Sequence, residues 1–374
     1  MQEKFFKNYL LCIVRDSRLL LSNSLNYLIS LLILPFLAKK NQVLLNRALF
    51  INTMKLGDLE ISLKFLIQFQ ESNLFQEHYL LLDSRYIDLL KSLRINIRLI
   101  PWNRKSYKYN IFYRIKFIKI LRRYSFLTAY NISQERGILN DELTLLSGAN
   151  KKICFKKNAE YLFPFFNFIN SRKYSTILNF DEMNEYKLLD LVSNQLGLKI
   201  IHSIDDRFII STNNTLPSSY ICIAPFSSDN QRNWSIVNYL TLVQELSIDF
   251  NIVLLGNKID SLHNQFCENS HIFNLIGKTT LSELPGIIKN SQLFIGNDSG
   301  LTHLANVLEI PLIAIIGGGM YGRFFPHRLS INRKYRYYLL DCFGCEWYCI
   351  YKERYCLTKV TVATILSDVY KILN

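Results

Sequence analysis

Acidic residues are scarce in this chain, and over one long stretch they are missing. Lys91 to Gln134 contains no aspartate or glutamate, yet eleven lysines and arginines. Across 374 residues, 44 Lys and Arg stand against 30 Asp and Glu, a net charge of +14. A surface of that sign suits polyanions such as nucleic acid, phosphorylated glycolipid, anionic membrane or nucleotide, and it also serves solubility. There is no low-complexity tract. No small-residue cleavage site follows the N-terminal apolar stretch, so a cleavable signal peptide is not expected. A reducing cytoplasm is then the default, which argues against disulfides. An unbroken membrane span is lacking too. The apolar stretch from Leu19 to Leu37 is interrupted by Ser22, Asn23, Ser24, Asn26 and Ser30, with Pro35 near its end. Its uninterrupted part falls well short of the roughly 20 residues that cross a bilayer. With basic residues on both sides it reads as a helix lying on a membrane or packing on the body of the protein, a spanning anchor being the alternative.

Apolar residues make up 49% of the chain, with 25 Phe and 22 Tyr. The length fits two domains of about 150 residues each. From residue 46 short apolar runs alternate with helical patterns. Strands are predicted at 48–53, 78–83, 97–102, 125–133 and 151–156. After a break at 157–219 they resume at 220–226, 251–256, 271–277, 292–297, 311–317 and 335–342. Such a βα series implies parallel sheets covered on both faces. The expected organisation is an N-terminal helical extension (1–45), a first doubly wound α/β domain (46–215) and a second (216–374). A ligand cleft is expected between the two domains, at the strand carboxyl ends.

The most informative segment is "LFIGNDSGLTHLANVLEIPLIAIIGGG" (293–319). A strand ends at Asn297-Asp298, and Ser299-Gly300 leads into a helix carrying His303. Asp298 or Ser299 suits the cap of that helix. Gly300 lets backbone approach a ligand, and free helix amides suit a diphosphate. Plain capping would explain the same residues.

The block Asp298-Ser299-Gly300-Leu301-Thr302-His303-Leu304-Ala305, with the apolar strand behind it, resembles the lipopolysaccharide heptosyltransferases of glycosyltransferase family 9. "NTMKLGDLEISLKFL" (52–66), "IAPFSSDNQRNWSIVNYLTLVQEL" (223–246) and "NIVLLGNKID" (251–260) resemble further segments of that family in the same order. The resemblance covers roughly residues 46–370. It implies a GT-B arrangement of two Rossmann-like domains facing a cleft, and inverting transfer of a sugar from a nucleotide diphosphate. ADP-heptose is the family's donor, and a glycolipid or oligosaccharide is the acceptor. Asp58, beside Gly57, matches the family's catalytic base. Ser227, Ser228 and Arg232 match positions that hold the donor phosphates, Arg replacing the family's usual Lys. Asp298 and Gly300 match positions near donor sugar and diphosphate. Gly256, Ser299, Leu301 and His303 lie in the same donor motifs, and Arg323, in a Gly-Arg-Phe-Phe-Pro loop, is a further candidate for a phosphate. No cofactor is required if these groups supply the positive potential, and no DxD-like metal motif lies at a strand end. A sugar-nucleotide epimerase or phosphorylase on the same architecture, or a non-catalytic sugar-nucleotide-binding protein, are the alternatives.

Two features stand apart. Cys342, Cys345, Cys349 and Cys356 form C-x2-C-x3-C-x6-C. Four close thiols suit a structural Zn²⁺, with reduced thiols or a labile disulfide as the other readings. In the basic stretch, Lys116, Lys119, Arg122 and Arg123 share one helical face, and Tyr113, Phe117, Ile120, Leu121 and Tyr124 the other. That pattern suits an anionic membrane surface or a phosphorylated glycolipid, and places the protein on the cytoplasmic face of the inner membrane. It carries no RNA-recognition signature, so nucleic acid is not expected as a partner.

Overall fold

The computed structural model describes residues 45–53, 55–92, 95–132, 136–155, 164–180, 182, 184–199, 216–257, 266, 269–327 and 329–374, together with 21, 25, 28 and 29. The chain divides into two compact units. The first holds Met1–Ile87, Ile95–Glu182 and Lys187–Ile200. The second holds Asp88–Arg94, Met183–Tyr186 and Ile201–Asn374.

The first unit is built on six parallel strands: β1 (Leu45–Ile51), β2 (Glu77–Asp83), β3 (Arg98–Trp102), β4 (Phe126–Asn131), β5 (Lys151–Cys154) and β6 (Thr176–Ile177). Their order is β3-β2-β1-β4-β5-β6. The connections carry α1 (Leu56–Glu71), α2 (Ile87–Lys91, all but its first residue counted with the second unit), α3 (Arg104–Tyr109), α4 (Ile111–Arg123), α5 (Ile138–Leu146) and α6 (Pro164–Arg172), and α7 (Glu185–Gln195) follows β6. The second unit repeats the plan with β7 (Ile221–Ala224), β8 (Ile252–Leu254), β9 (Ile272–Asn274), β10 (Leu293–Asn297), β11 (Leu312–Ile315) and β12 (Arg333–Arg336), in the order β12-β11-β10-β7-β8-β9. Its helices are α8 (Ile236–Leu246), α9 (Leu284–Lys289), α10 (Gly300–Val307), α11 (Tyr355–Thr358) and α12 (Val362–Leu373).

Both units therefore have the doubly wound order 3-2-1-4-5-6, and both are α/β as the alternation implies. The reason is visible in the strands. Every residue of β7, β8, β10 and β11 is buried, so each reads as an unbroken apolar run. Strand order reverses between β1 and β4 in one unit and between β7 and β10 in the other.

Two expectations need correction. The last strand is Arg333–Arg336, not 335–342. It pairs with β11 and stops opposite Ile315, where β11 itself ends. Beyond it the apolar side chains Tyr338 and Leu339 are exposed. The second correction concerns α4. Phe117, Ile118 and Leu121 are buried in the first unit's core, with Tyr113 and Tyr124 packed against it, so the apolar face is covered by the fold. Ile120 is exposed, and so are Phe112, Lys116, Lys119 and Arg123. Arg114 is buried and paired with Glu142.

The stretch 19–37 lies mostly outside the described residues. Of its described members, Leu21, Leu25 and Leu28 are exposed and Ile29 packs against the first unit's core. Among the described residues no helix is long and apolar enough to cross a membrane. Cys154 and Cys222 are buried, as small apolar core residues are.

Candidate active site

In the second unit the switch point is fastened by Asn297, the last residue of β10. Its Oδ1 accepts from the Trp234 amide (2.9 Å) and the Tyr239 hydroxyl (3.1 Å), and its Nδ2 donates to the Pro225 carbonyl (2.7 Å). Asn297 thus ties the ends of β10 and β7 together. Gly296, just before it, stands where a Cβ would meet the Phe294 ring and the Thr302 hydroxyl at 2.9 Å each. Only glycine lets α10 sit this close to the strand.

Ser299 is the N-cap of α10 in extended backbone, but its side chain makes no cap hydrogen bond. Its hydroxyl lies 3.3 Å from that of Thr302, which donates to the Asn297 carbonyl. The expected side-chain cap is therefore not made. The amides of Gly300 and Leu301 find no acceptor among the described residues. They carry the positive end of the helix dipole.

Asp298 is buried, and three side chains bear on it. His303 Nε2 stands 3.6 Å from its Oδ1, just past hydrogen-bond range. Burial alone would raise the Asp298 carboxyl, but His303, Arg232 and Arg323 outweigh it and hold the group below the usual carboxylate range. Two buried polar atoms here have no hydrogen bond among the described residues: Asp298 Oδ1 and Arg232 Nε. Leaving such atoms unsatisfied costs about 1–3 kcal/mol each, more for a charged group, so they mark where a polar ligand fits. Arg323 donates from Nε to Glu185 at 3.0 Å and lies over the Phe324 ring.

The structure thus brings Arg232, Asp298, Ser299, Gly300, Leu301, His303 and Arg323 around the end of β10. Ser227 is held within its own loop. Its hydroxyl donates to the Asp229 carbonyl at 2.6 Å and its amide to Asn233 Oδ1 at 2.8 Å, which shapes the loop carrying Arg232. Ser228 is exposed. Gly256 follows β8, and its carbonyl accepts from the Gly277 amide at 3.0 Å.

In the first unit Asp58 occupies the third position of α1, not its cap. Its carboxylate accepts from the Lys55 amide at 3.2 Å and remains partly exposed, as does Gly57. Glu60, two residues on, is fully buried, and neither of its oxygens has a hydrogen bond among the described residues. Burial, reinforced by the charge of Asp58, pushes its carboxyl well above the usual range. In that turn the carboxyl open to a substrate hydroxyl is Asp58.

Behind β11 the chain runs through Gly317, Gly318 and Gly319. A Cβ on any of them would strike Trp347 or Phe343 at 2.4–2.5 Å. Both aromatics belong to the cysteine loop, and the Gly344 and Glu346 amides donate to the Gly318 and Gly319 carbonyls at 2.8 and 3.0 Å. Cys342, Cys345 and Cys349 are half-buried and Cys356 is buried. Burial and the neighbouring thiols push Cys342 up, and burial raises Cys345 too. As they stand, no three or more His, Cys, Asp or Glu among the described residues are arranged to hold a metal ion.

The family model for glycosyltransferase family 9 (heptosyltransferase) matches residues 148–335. The chain belongs to glycosyltransferase family 9. Lipopolysaccharide heptosyltransferase 3 of Escherichia coli is 30% identical over 106 residues, covering 26% of this chain. That match spans 31% of the relative's own length. Among solved structures, E. coli heptosyltransferase WaaC with ADP-2-deoxy-2-fluoro heptose superposes with a TM-score of 0.66 at 14% identity, over 87% of this chain and 99% of that one. The iron-containing dodecameric glycosyltransferase TibC of enterotoxigenic E. coli gives 0.55 at 15% identity, over 89% and 78%. These likenesses confirm the GT-B-type fold of a family 9 glycosyltransferase. Asn297 lies in the quoted 293–319 segment with no role assigned to it, and no motif signalled Glu185, which binds Arg323, or Tyr186, which contacts His303.

Proposed function

We propose that this family 9 protein transfers a heptose from ADP-heptose to a lipopolysaccharide-type acceptor, with inversion. One observation carries the reading: the two unsatisfied buried atoms, Arg232 Nε and Asp298 Oδ1, beside the open amides of Gly300 and Leu301. An anionic diphosphate satisfies the arginine and the amides, and a sugar hydroxyl satisfies the carboxylate. The relatives named for lipopolysaccharide heptose transfer, and WaaC with its ADP-heptose analogue, support the choice of donor and acceptor. Asp58 takes the acceptor hydroxyl's proton as that oxygen attacks the anomeric carbon. The bond to the diphosphate breaks, and Arg232, Arg323 and the α10 amides stabilise the departing ADP. Cationic groups in these positions make a metal or other cofactor unnecessary for transfer.

The first test is of the donor. Arg232→Ala should weaken ADP binding about tenfold or more while leaving adenosine binding nearly unchanged. Titration calorimetry of both ligands reads this directly. Equal losses for the two would remove Arg232 from the phosphate site.

The membrane reading rests on the surface of α3 and α4. Arg104, Lys105, Lys116, Lys119 and Arg123 are exposed there, with Tyr109 74% and Phe112 80% exposed among them. Basic residues contribute about 1 kcal/mol each near an anionic leaflet, and exposed aromatics seat at the interface. The protein should sediment with anionic vesicles, much less with neutral ones, and be released by high salt. Indifference to vesicle charge would assign these residues to the fold or the acceptor. That surface supports a location at the cytoplasmic face of the inner membrane.

The four cysteines are proposed to take one structural metal ion, the loop 342–356 closing around it. Neighbouring thiols help push Cys342 and Cys345 up, and TibC, of the same fold, is described as iron-containing. Purified protein should carry about one metal per chain, and a chelator should loosen the C-terminal region. Metal-free protein of unchanged stability would leave them as ordinary thiols.

A further inference from the structure

Helix α7 starts in the second unit and continues in the first. The residues at its start fasten onto the elements around Asp298. Asn184 donates from Nδ2 to the carbonyls of Gly322 (3.3 Å) and Phe324 (3.4 Å). The Glu185 amide donates to the Arg323 carbonyl at 2.8 Å, and its buried carboxylate accepts from Arg323 Nε at 3.0 Å. Arg323 is therefore gripped at both main chain and side chain. The Tyr186 hydroxyl lies 2.9 Å from His303 Nδ1, and its ring stacks on His327 at 4.1 Å.

The surroundings of His303 restrict its chemistry. The ring is buried, stacked on Phe325 at 4.7 Å with Phe324 edge-on at 5.4 Å. Its two nitrogens face Tyr186 and Asp298. A phenol donating to Nδ1 leaves the imidazole proton on Nε2, directed at the carboxylate. A positive hydrogen on that side favours an ionised Asp298, able to accept from a hydroxyl.

We infer that Glu185 and Tyr186 are positioning residues of the donor site, Glu185 aiming Arg323 at the diphosphate and Tyr186 orienting His303 to support Asp298 as a sugar-hydroxyl acceptor. The inference rests on the reading of this site as the ADP-heptose site. It assigns the two residues different parts of one ligand. Glu185 acts on the phosphate half, through an arginine. Tyr186 acts on the sugar half, through a histidine and an aspartate. A residue that only stabilised the fold would not separate the halves of the donor.

Binding of ADP and of ADP-heptose to Glu185→Gln and Tyr186→Phe protein tests this. Glu185→Gln should weaken both ligands by a similar factor, about tenfold. Tyr186→Phe should leave ADP unchanged and weaken ADP-heptose about fivefold. In parallel, the side-chain ¹⁵N spectrum of His303, assigned with a His303→Gln variant, should show the Nδ1 resonance moving in Tyr186→Phe as its donor is lost. Equal losses of both ligands in both variants, or no losses, would overturn the inference, as would an unmoved Nδ1 resonance. Unaltered protein that binds neither ligand would instead refute the donor reading, and the ¹⁵N result would still decide whether Tyr186 controls His303.

Discussion

Asp58→Asn should lower turnover by about a hundredfold or more at saturating donor and acceptor, the usual contribution of a general base. The substitution is nearly isosteric. Its amide oxygen can still accept the Lys55 N–H that the carboxylate now holds at 3.2 Å, so the first turn of α1 keeps its start. What is lost is the ability to take a proton. The buried neighbour cannot substitute, because Glu60 lies wholly inside the fold. Donor affinity should be largely retained, since the phosphate-binding groups belong to the other unit. Initial rates and ADP titration on the same preparation check both halves. Near-normal turnover would remove Asp58 from the mechanism.

The largest stability effect is expected at Arg114. This arginine lies inside the first unit with Glu142, each side chain 1% exposed. Arg114 Nε donates to Glu142 Oε1 at 2.6 Å, its Nη2 also binds the carboxylate, and the Tyr107 hydroxyl donates to Oε1 at 2.8 Å. Arg114→Ala leaves a buried carboxylate without its counter-charge and should cost about 3–5 kcal/mol. Replacing both partners with apolar residues, Arg114→Met with Glu142→Leu, should recover most of that loss, because neither charge then needs burial. Unfolding by denaturant, followed through Trp102, the tryptophan of the first unit, measures the difference. A single variant within 1 kcal/mol of the parent would mean that water relieves the stranded charge.

Arg114 also shows where reading the sequence stops. A helical wheel sorts α4 into basic and apolar faces, but it cannot see Glu142, 28 residues away, which draws one arginine inside. Nor does the wheel show that Ile120, on its apolar face, is exposed. The strands were legible for the opposite reason. Parallel strands covered on both faces must be apolar throughout, and that signal is local. β12 was misplaced because its own residues, Arg333 to Arg336, are largely polar, while the apolar run after them, Tyr337 to Leu340, leads into the cysteine loop outside the strand. In the site, Asp298 and Gly300 were found because they share one short motif. Asn297 binds partners 58 to 72 residues away, and Tyr186 and Glu185 reach theirs across 117 and 138 residues. No spacing rule connects such residues before the chain is folded.

The central claim is heptose transfer, and the product measures it most directly. The protein should be incubated with ADP-heptose and a lipopolysaccharide acceptor truncated in its core, and the acceptor analysed by mass spectrometry. The account predicts that the acceptor gains one heptosyl residue, with one ADP released for each, and that Asp58→Asn protein largely fails to add it. An acceptor of unchanged mass with ADP-heptose and all its truncated cores, under conditions where the protein binds ADP, would contradict it.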